Sequence, residues 1–166
     1  MKKVSCFLSS TFNDMQSERD FFRLSLEDRI NDNLRKAGLF LEFIDLRWGV
    51  NVQNDEESDY DKKVLSVCLG EIKSTKPFFI VFLGERYGWV PKKEDVLSLV
   101  YENDNNDVKF SDKSITEIEI NYALSTYVDT DKCLFYFRNP VNFGDDEKAK
   151  DKYESTGSDL QKLNEL

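Results

Sequence analysis

One glutamate in this chain stands where a carboxylate can do chemistry. The stretch Ser114–Leu124, "SITEIEINYAL", has helical composition. At about 100° per residue, Ile115, Ile118, Ile120, Tyr122, Ala123 and Leu124 form a wide apolar arc. Glu119 falls inside that arc, between Ile115 and Ala123. A carboxylate aimed at protein must be paired or line a cleft, because burying it alone is expensive. Partial burial raises its pKa and suits acid–base work or the stabilisation of an oxocarbenium ion. The structural alternative is a salt bridge to Arg47 or Arg86. Glu117 reads differently. With Ser114 three residues before it, it completes a helix-capping box, which accounts for it without a function. It shares the opposite, polar arc with Asn121 and Ser125.

Three further clusters carry groups that can hold a ligand. Ser9-Ser10-Thr11 follows an apolar run. Asp45-Leu46-Arg47-Trp48-Gly49 follows a second, and Gly84-Glu85-Arg86-Tyr87-Gly88-Trp89 a third. Hydroxyls and backbone N–H groups at a helix start make an anion site, so Ser9, Ser10 and Thr11 are candidates for a phosphate. Arg47 and Arg86 offer planar forks for phosphate or carboxylate. Trp48, Tyr87 or Trp89 can stack on a base-like ring. Asp45, Glu85, Trp89 and Glu117 read as structural or rim residues, Asp45 as part of a solvated face. The packing alternative stays open. Ser-Ser-Thr would then only cap a helix, the tryptophans would fill a sheet edge, and Arg47–Glu85 would be an ion pair.

These clusters need elements to position them. "VSCFLSS" reads as a first strand. A helix follows, with Phe22, Leu26, Ile30 and Leu34 every fourth residue, capped by Thr11 or Asn13 and ended at Gly38. "LFLEFIDL" is a second strand, and its poor alternation predicts burial on both faces. Tyr60, Val64, Cys68 and Ile72 mark a second helix, and "PFFIVFLG" a third strand. A long acidic segment with a short helix around Glu94–Tyr101 leads to the Glu119 helix, and "DKCLFYFRNP" is the fourth strand. Strands alternating with helices predict right-handed βαβ units and a mostly parallel sheet. The expected fold class is α/β, a flavodoxin-like three-layer sandwich with strand order 2-1-3-4. Ligands in such sheets bind outside the strands' carboxyl ends, where the order reverses. The domain is expected over residues 1–140. Residues 141–166 read as a mobile polar tail and the start of a helix cut short, so that the natural protein continues.

Composition narrows the function classes. Lys+Arg number 23 against 32 Asp+Glu, a net charge of -9, which argues against a general phosphate-backbone binder of nucleic acid. With 0 histidines, His-based catalysis and His metal sites are absent from this sequence. Cys6, Cys68 and Cys133 are far apart and form no CxxC pair, so no zinc site is expected and a reducing cytoplasm fits. No apolar run approaches the ~18–20 residues of a membrane span.

The stretches "FLSSTFNDMQSERD", "DLRWGV", "VLSVCLGEI", "PFFIVFLGERYGWVP" and "SITEIEI" occur in that order. Together they closely resemble a domain of unknown function found N-terminal to NACHT-type NTPases with TPR or WD repeats, as in telomerase-associated and nephrocystin-type proteins. The resemblance spans roughly residues 4–140. That family is regarded as similar to Toll/interleukin-receptor (TIR) domains, which share an opening strand ending in small hydroxyl residues. "SITEIEI" resembles the TIR helix that carries a catalytic glutamate, although Thr116-Glu117-Ile118 stands where those domains carry Trp-Cys.

The resemblance implies a TIR-like effector or signalling domain of a larger, defence-related NTPase. Its substrate would be NAD, with no cofactor required, and Glu119 would support cleavage of the glycosidic bond. Ser9, Ser10 and Thr11 would hold the diphosphate, Arg47 or Arg86 would neutralise it, and Trp48, Tyr87 or Trp89 would stack on a ring. Partners would be further copies of the domain and the C-terminal NTPase and repeat regions of the same chain. One alternative is a non-catalytic homotypic interaction or adaptor module. Another is a hydrolase or transferase acting on other nucleosides, since deoxyribosyltransferases place a glutamate on a comparable helix.

Overall fold

A computed structural model describes residues 1–46, 60–75, 78–96, 110–126 and 130–166, without the side chains of residues 60, 61 and 130. The described elements run β1 (Lys2–Ser10), α1 (Gln16–Phe21), a π-helical turn (Phe22–Leu26), α2 (Glu27–Arg35), β2 (Leu39–Ile44), α3 (Tyr60–Ser74) and β3 (Phe78–Leu83). After these come α4 (Ile115–Thr126), a short 3-10 turn (Thr130–Lys132), β4 (Cys133–Phe137), α5 (Glu147–Tyr153) and α6 (Gly157–Glu165). Residues 93–96 are also helical. The remainder of the helix expected around Glu94–Tyr101 lies outside the described residues.

The four strands form one parallel sheet in the order β2-β1-β3-β4. The register pairs Ser9 with Val81 and Ser10 with Phe82, so β1 and β3 end side by side. Side chains alternate across the sheet and divide the core in two. Phe7, Phe79, Val81 and Leu83 pack with Leu65, Leu69 and Ile72 of α3 and Ile118 and Ala123 of α4. Phe7 and Phe79 stack with ring centroids 5.8 Å apart. On the other face Cys6, Leu8, Ile80 and Phe82 pack with Met15, and Phe22 meets Phe43 and Phe82 edge-on at 5.0 and 5.2 Å.

Three local expectations are corrected. The first helix is not capped by Thr11 or Asn13. Met15 holds the N-cap position without a side-chain bond, because the Thr11 hydroxyl donates to the Asp14 carboxylate instead. The helix is also interrupted by the π-turn. That extra residue rotates the following face, so Asn31 is the fully buried residue of α2 while Ile30 and Leu34 are half-buried. β2 is half-buried throughout rather than enclosed, because it is an edge strand with a single neighbour. Asn31 compensates by bonding both backbone groups of Leu41, its amide donating to the carbonyl at 2.8 Å and its oxygen accepting at 2.6 Å. This occupies the outward backbone groups in the middle of the edge, which makes it a poorer template for another strand. Gly38 ends the helical region with φ +72, the left-handed conformation that favours glycine at this position.

The polar tail carries two helices, α5 and α6, rather than a helix only at its end. It packs back against the segment after β3. The Ser155 N–H donates to the Glu85 carbonyl at 2.8 Å, and the Tyr87 N–H donates to the Ser155 hydroxyl at 2.8 Å. No helix among the described residues is long and apolar enough to cross a membrane.

Candidate functional site

The carboxyl end of β1 distributes its hydroxyls by strand alternation. Ser9 and Ser10 point to opposite faces of the sheet. The Ser9 hydroxyl donates to the Glu119 carboxylate on α4. Ser10 faces α1, where its hydroxyl oxygen accepts from Arg19 Nε at 2.6 Å and its carbonyl accepts from the same guanidinium at 3.2 Å. Thr11 continues the line with its bond to Asp14, whose other carboxylate oxygen and backbone carbonyl accept from Arg138 at 3.2 and 2.6 Å. All three hydroxyls are therefore engaged inside the protein, and Ser9, Ser10 and Thr11 are buried.

Glu119 is 5% exposed. It accepts from Ser9 and from the Cys68 thiol of α3. Burial pushes its pKa up, opposed by those two hydrogen bonds and by the charge of Arg19. Burial also pushes the Cys68 thiol up, and the neighbouring Glu119 charge adds to this. Arg19 itself pairs with Asp45 at 2.5 Å, both side chains being 1% exposed. Asp45 is therefore buried rather than part of a solvated face, because the guanidinium provides the partner that makes its burial tolerable. Asp14 also has a raised pKa, again from burial, opposed by the Thr11 bond and by the charges of Arg138 and Arg86.

Glu117, expected on the polar arc, is 8% exposed. Its backbone N–H donates to the Ser114 hydroxyl at 3.2 Å, which is half of the capping box. The carboxylate turns away from the reciprocal bond. It accepts from the Tyr87 hydroxyl at 2.5 Å and pairs with Lys113. Tyr87 is accordingly buried, with its hydroxyl also accepting from the Ser114 N–H at 3.2 Å. Burial, and then Glu117, push the Tyr87 pKa up to about 12. This tyrosine, a predicted ring-stacking residue, braces the start of α4 and does not line the cleft described next.

A cleft of about 640 Å³ opens beside Glu119 at the strand ends. Glu119, Cys68 and Thr116 line it from the helices, Ser10 and Thr11 from the end of β1, and Arg86 and Trp89 from the segment after β3. Phe12 and Trp89, 45% and 44% exposed, stand along it as aromatic walls. Gly88 makes this approach possible. It has φ +94, and a Cβ there would lie 2.9 Å from Thr11 Cγ2. The carbonyl of Trp89 accepts from the Ile115 N–H at 2.9 Å, which ties the same segment to the first residue of α4.

The structure thus gathers Ser9, Ser10, Thr11, Arg86, Trp89 and Glu119 at one edge, and directs Asp45, Tyr87 and Glu85 into bracing contacts. Glu85 uses its carbonyl for Ser155 and its carboxylate for the Val141 N–H at 3.3 Å. Arg47 and Trp48 lie outside the described residues. Sequence reasoning missed Arg19, Asp14, Cys68, Phe12 and Arg138. A signal existed for Arg19: Met15, Arg19 and Phe22 recur at i, i+4 and i+7, so the arginine interrupts an inward stripe as Glu119 does. None existed for Arg138, whose carboxylate partners Asp14 and Glu18 lie more than a hundred residues away in the chain.

Fold and site define a small parallel α/β domain with a carboxylate-floored cleft at its strand-end edge. The chain belongs to the family described as Domain of unknown function (DUF4062), which it matches over residues 5–166. It is 33% identical over 149 residues to a TPR repeat-containing protein of Dictyostelium discoideum, covering 84% of this chain and 9% of the relative. Telomerase protein component 1 of Mus musculus is 32% identical over 142 residues, covering 84% of this chain and 5% of the relative. NACHT domain- and WD repeat-containing protein 1 of Mus musculus is 30% identical over 82 residues, covering 46% of this chain and 5% of the relative. The chain therefore spans less than a tenth of the length of these curated relatives. No solved structure matches it.

Proposed function

We propose that this domain is a TIR-like effector module of a larger, repeat-containing signalling protein of the cytoplasm, and that its cleft takes a nucleotide whose glycosidic bond Glu119 helps to break. The observation that carries this reading is the state of Glu119. It is a buried carboxyl with a raised pKa, held by a hydroxyl and a thiol, beside a cleft at the strand ends. The cleft volume lies within the ~300–1,000 Å³ of small-molecule sites. Its position outside the carboxyl ends of β1 and β3 is where open parallel sheets take ligands. NAD is the substrate the TIR resemblance favours. Glu119 would accept a hydrogen bond from the ribose hydroxyls and stabilise the ribosyl cation that develops as nicotinamide leaves. Phe12 and Trp89 would offer faces to a planar ring. Association of several copies would assemble the active form.

The test is nicotinamide release from NAD, followed at high protein concentration and in a forced-oligomer fusion. Glu119→Gln is expected to lower turnover about 10²–10⁴-fold, the usual span for a positioned acid–base group. No release from any assembled form would sink the enzyme reading, and release indifferent to Glu119→Gln would remove Glu119 from it. One observation favours a second reading, a non-catalytic adaptor module. The Ser9, Ser10 and Thr11 hydroxyls already have partners within the protein, as a purely structural edge would require.

A further inference from the structure

Arg86 is the one cation among the described residues lining the Glu119 cleft. It also lines a second cavity of about 340 Å³ formed with Glu147, Lys150, Asp151, Glu154 and Asp159 of the tail. One nitrogen of its guanidinium is bound on that second side. Nη1 donates to the Asp151 carbonyl at 2.6 Å and to the Lys152 carbonyl at 3.2 Å. These carbonyls belong to the last turn of α5, where helix carbonyls lack intrahelical partners and carry the negative end of the dipole. The tail thus occupies the cation that the cleft would need for an anionic ligand.

The attachment of the tail has the character of a reversible contact. Neither α5 nor α6 has a fully buried residue. Polar contacts hold them, beside one ring stack of Tyr153 on Phe143 at 4.8 Å. Ser155 bonds the backbone of Glu85 and Tyr87. Lys162 donates to the Asp112 carbonyl at 2.8 Å and lies 5.7 Å from the centre of the Tyr87 ring. The Arg138 guanidinium lies over Tyr153 at 5.2 Å. A unit with little apolar burial opens at far lower cost than the core beneath it. All but one of these polar contacts fall on residues 85–87 and 112, the first group including Arg86 of the cleft.

We infer that the α5–α6 tail is a latch that ties up Arg86 Nη1 at the edge of the cleft, and that release of the tail frees this guanidinium to turn to a phosphate-bearing ligand there. The inference rests on the proposed cleft as a nucleotide site and adds its regulation. While the released state is minor, apparent affinity rises in proportion to its population. Removing one latch bond is therefore expected to tighten binding about fivefold, the shift that a single hydrogen bond makes in such an equilibrium.

The experiment compares the full chain with Ser155→Ala, Lys162→Ala and Arg86→Ala. Hydrogen exchange over residues 147–165 reports release of the tail. Calorimetric titration with inorganic diphosphate, and separately with NAD, reports the cleft. Ser155→Ala and Lys162→Ala are expected to speed exchange in the tail and tighten diphosphate about fivefold. Arg86→Ala is expected to release the tail equally and tighten nothing, because the freed group is absent. Released tails with unchanged diphosphate affinity, or Arg86→Ala binding as tightly as the other two, would overturn the latch. So would unchanged exchange in both Ser155→Ala and Lys162→Ala. Tighter diphosphate binding with no NAD binding would leave the latch standing and count against the nucleotide reading.

Discussion

Glu117 and Glu119 stand two residues apart on one helix, and both are buried, at 8% and 5% exposure. Their surroundings differ in kind. Glu117 has a lysine partner and a tyrosine hydroxyl, so its charge is compensated on the spot. Glu119 has a hydroxyl and a thiol, with Arg19 acting on it through space while that guanidinium is bound to Asp45 and Ser10. The first arrangement stabilises the start of a helix. The second holds a carboxyl in a state the protein would relieve if it had only stability to satisfy, and it does so beside a cleft. Burial alone therefore does not mark a functional acid; burial against neutral partners beside a cleft makes the better candidate.

The largest loss is expected at the buried ion pair. Arg19→Ala leaves Asp45 buried without its cation, and a loss of about 3–5 kcal/mol is expected, seen as a large drop in the midpoint of urea unfolding. A loss below 1 kcal/mol would mean that Asp45 is protonated or hydrated when folded. Next comes Glu117→Ala, which leaves the Tyr87 hydroxyl without its acceptor. About 1–3 kcal/mol of stability should disappear. The Tyr87 pKa should fall from about 12, read by ultraviolet titration, and an unmoved value would show that Glu117 does not bear on it.

The smallest effect has the opposite sign. The folded pKa of Glu119 lies above the ordinary glutamate value of 4.5. The folded protein then keeps a proton that the unfolded chain has released. Stability falls as pH rises from 4.5 through the folded pKa, and the whole penalty is present above it. Glu119→Gln carries no such penalty. It is expected to raise the melting temperature at pH ~8, above the ordinary glutamate value. The gain should shrink as pH falls toward the ordinary value. A lower melting temperature at every pH would place Glu119 with Glu117, as a structural acid.

Much of this domain was legible in the chain. The parallel sheet followed from alternating strands and helices, and the order 2-1-3-4 from the flavodoxin-like layout that four such strands suit. Glu119 was legible because a helical wheel needs only local sequence. The same wheel misplaced Glu117, because a wheel shows which face a residue takes and not what covers that face. Tyr87 arrives over the outer face of α4 from the segment after β3, and no local pattern announces it. Asp45 was misread for the same reason: its cation, Arg19, sits on a different element.

The chain by itself determined the four strands, the helices between them and that a carboxylate points inward from the Glu119 helix, since these depend on periodicities of a few residues. Tertiary structure decided the partners. It put Ser9 on Glu119 and Ser10 on Arg19 by sending neighbouring strand residues to opposite faces of the sheet. It also brought a tail some 65 residues distant onto Arg86. Hydrogen bonds and ion pairs act over a few ångströms in space, and only the folded sheet sets which residues come within that range.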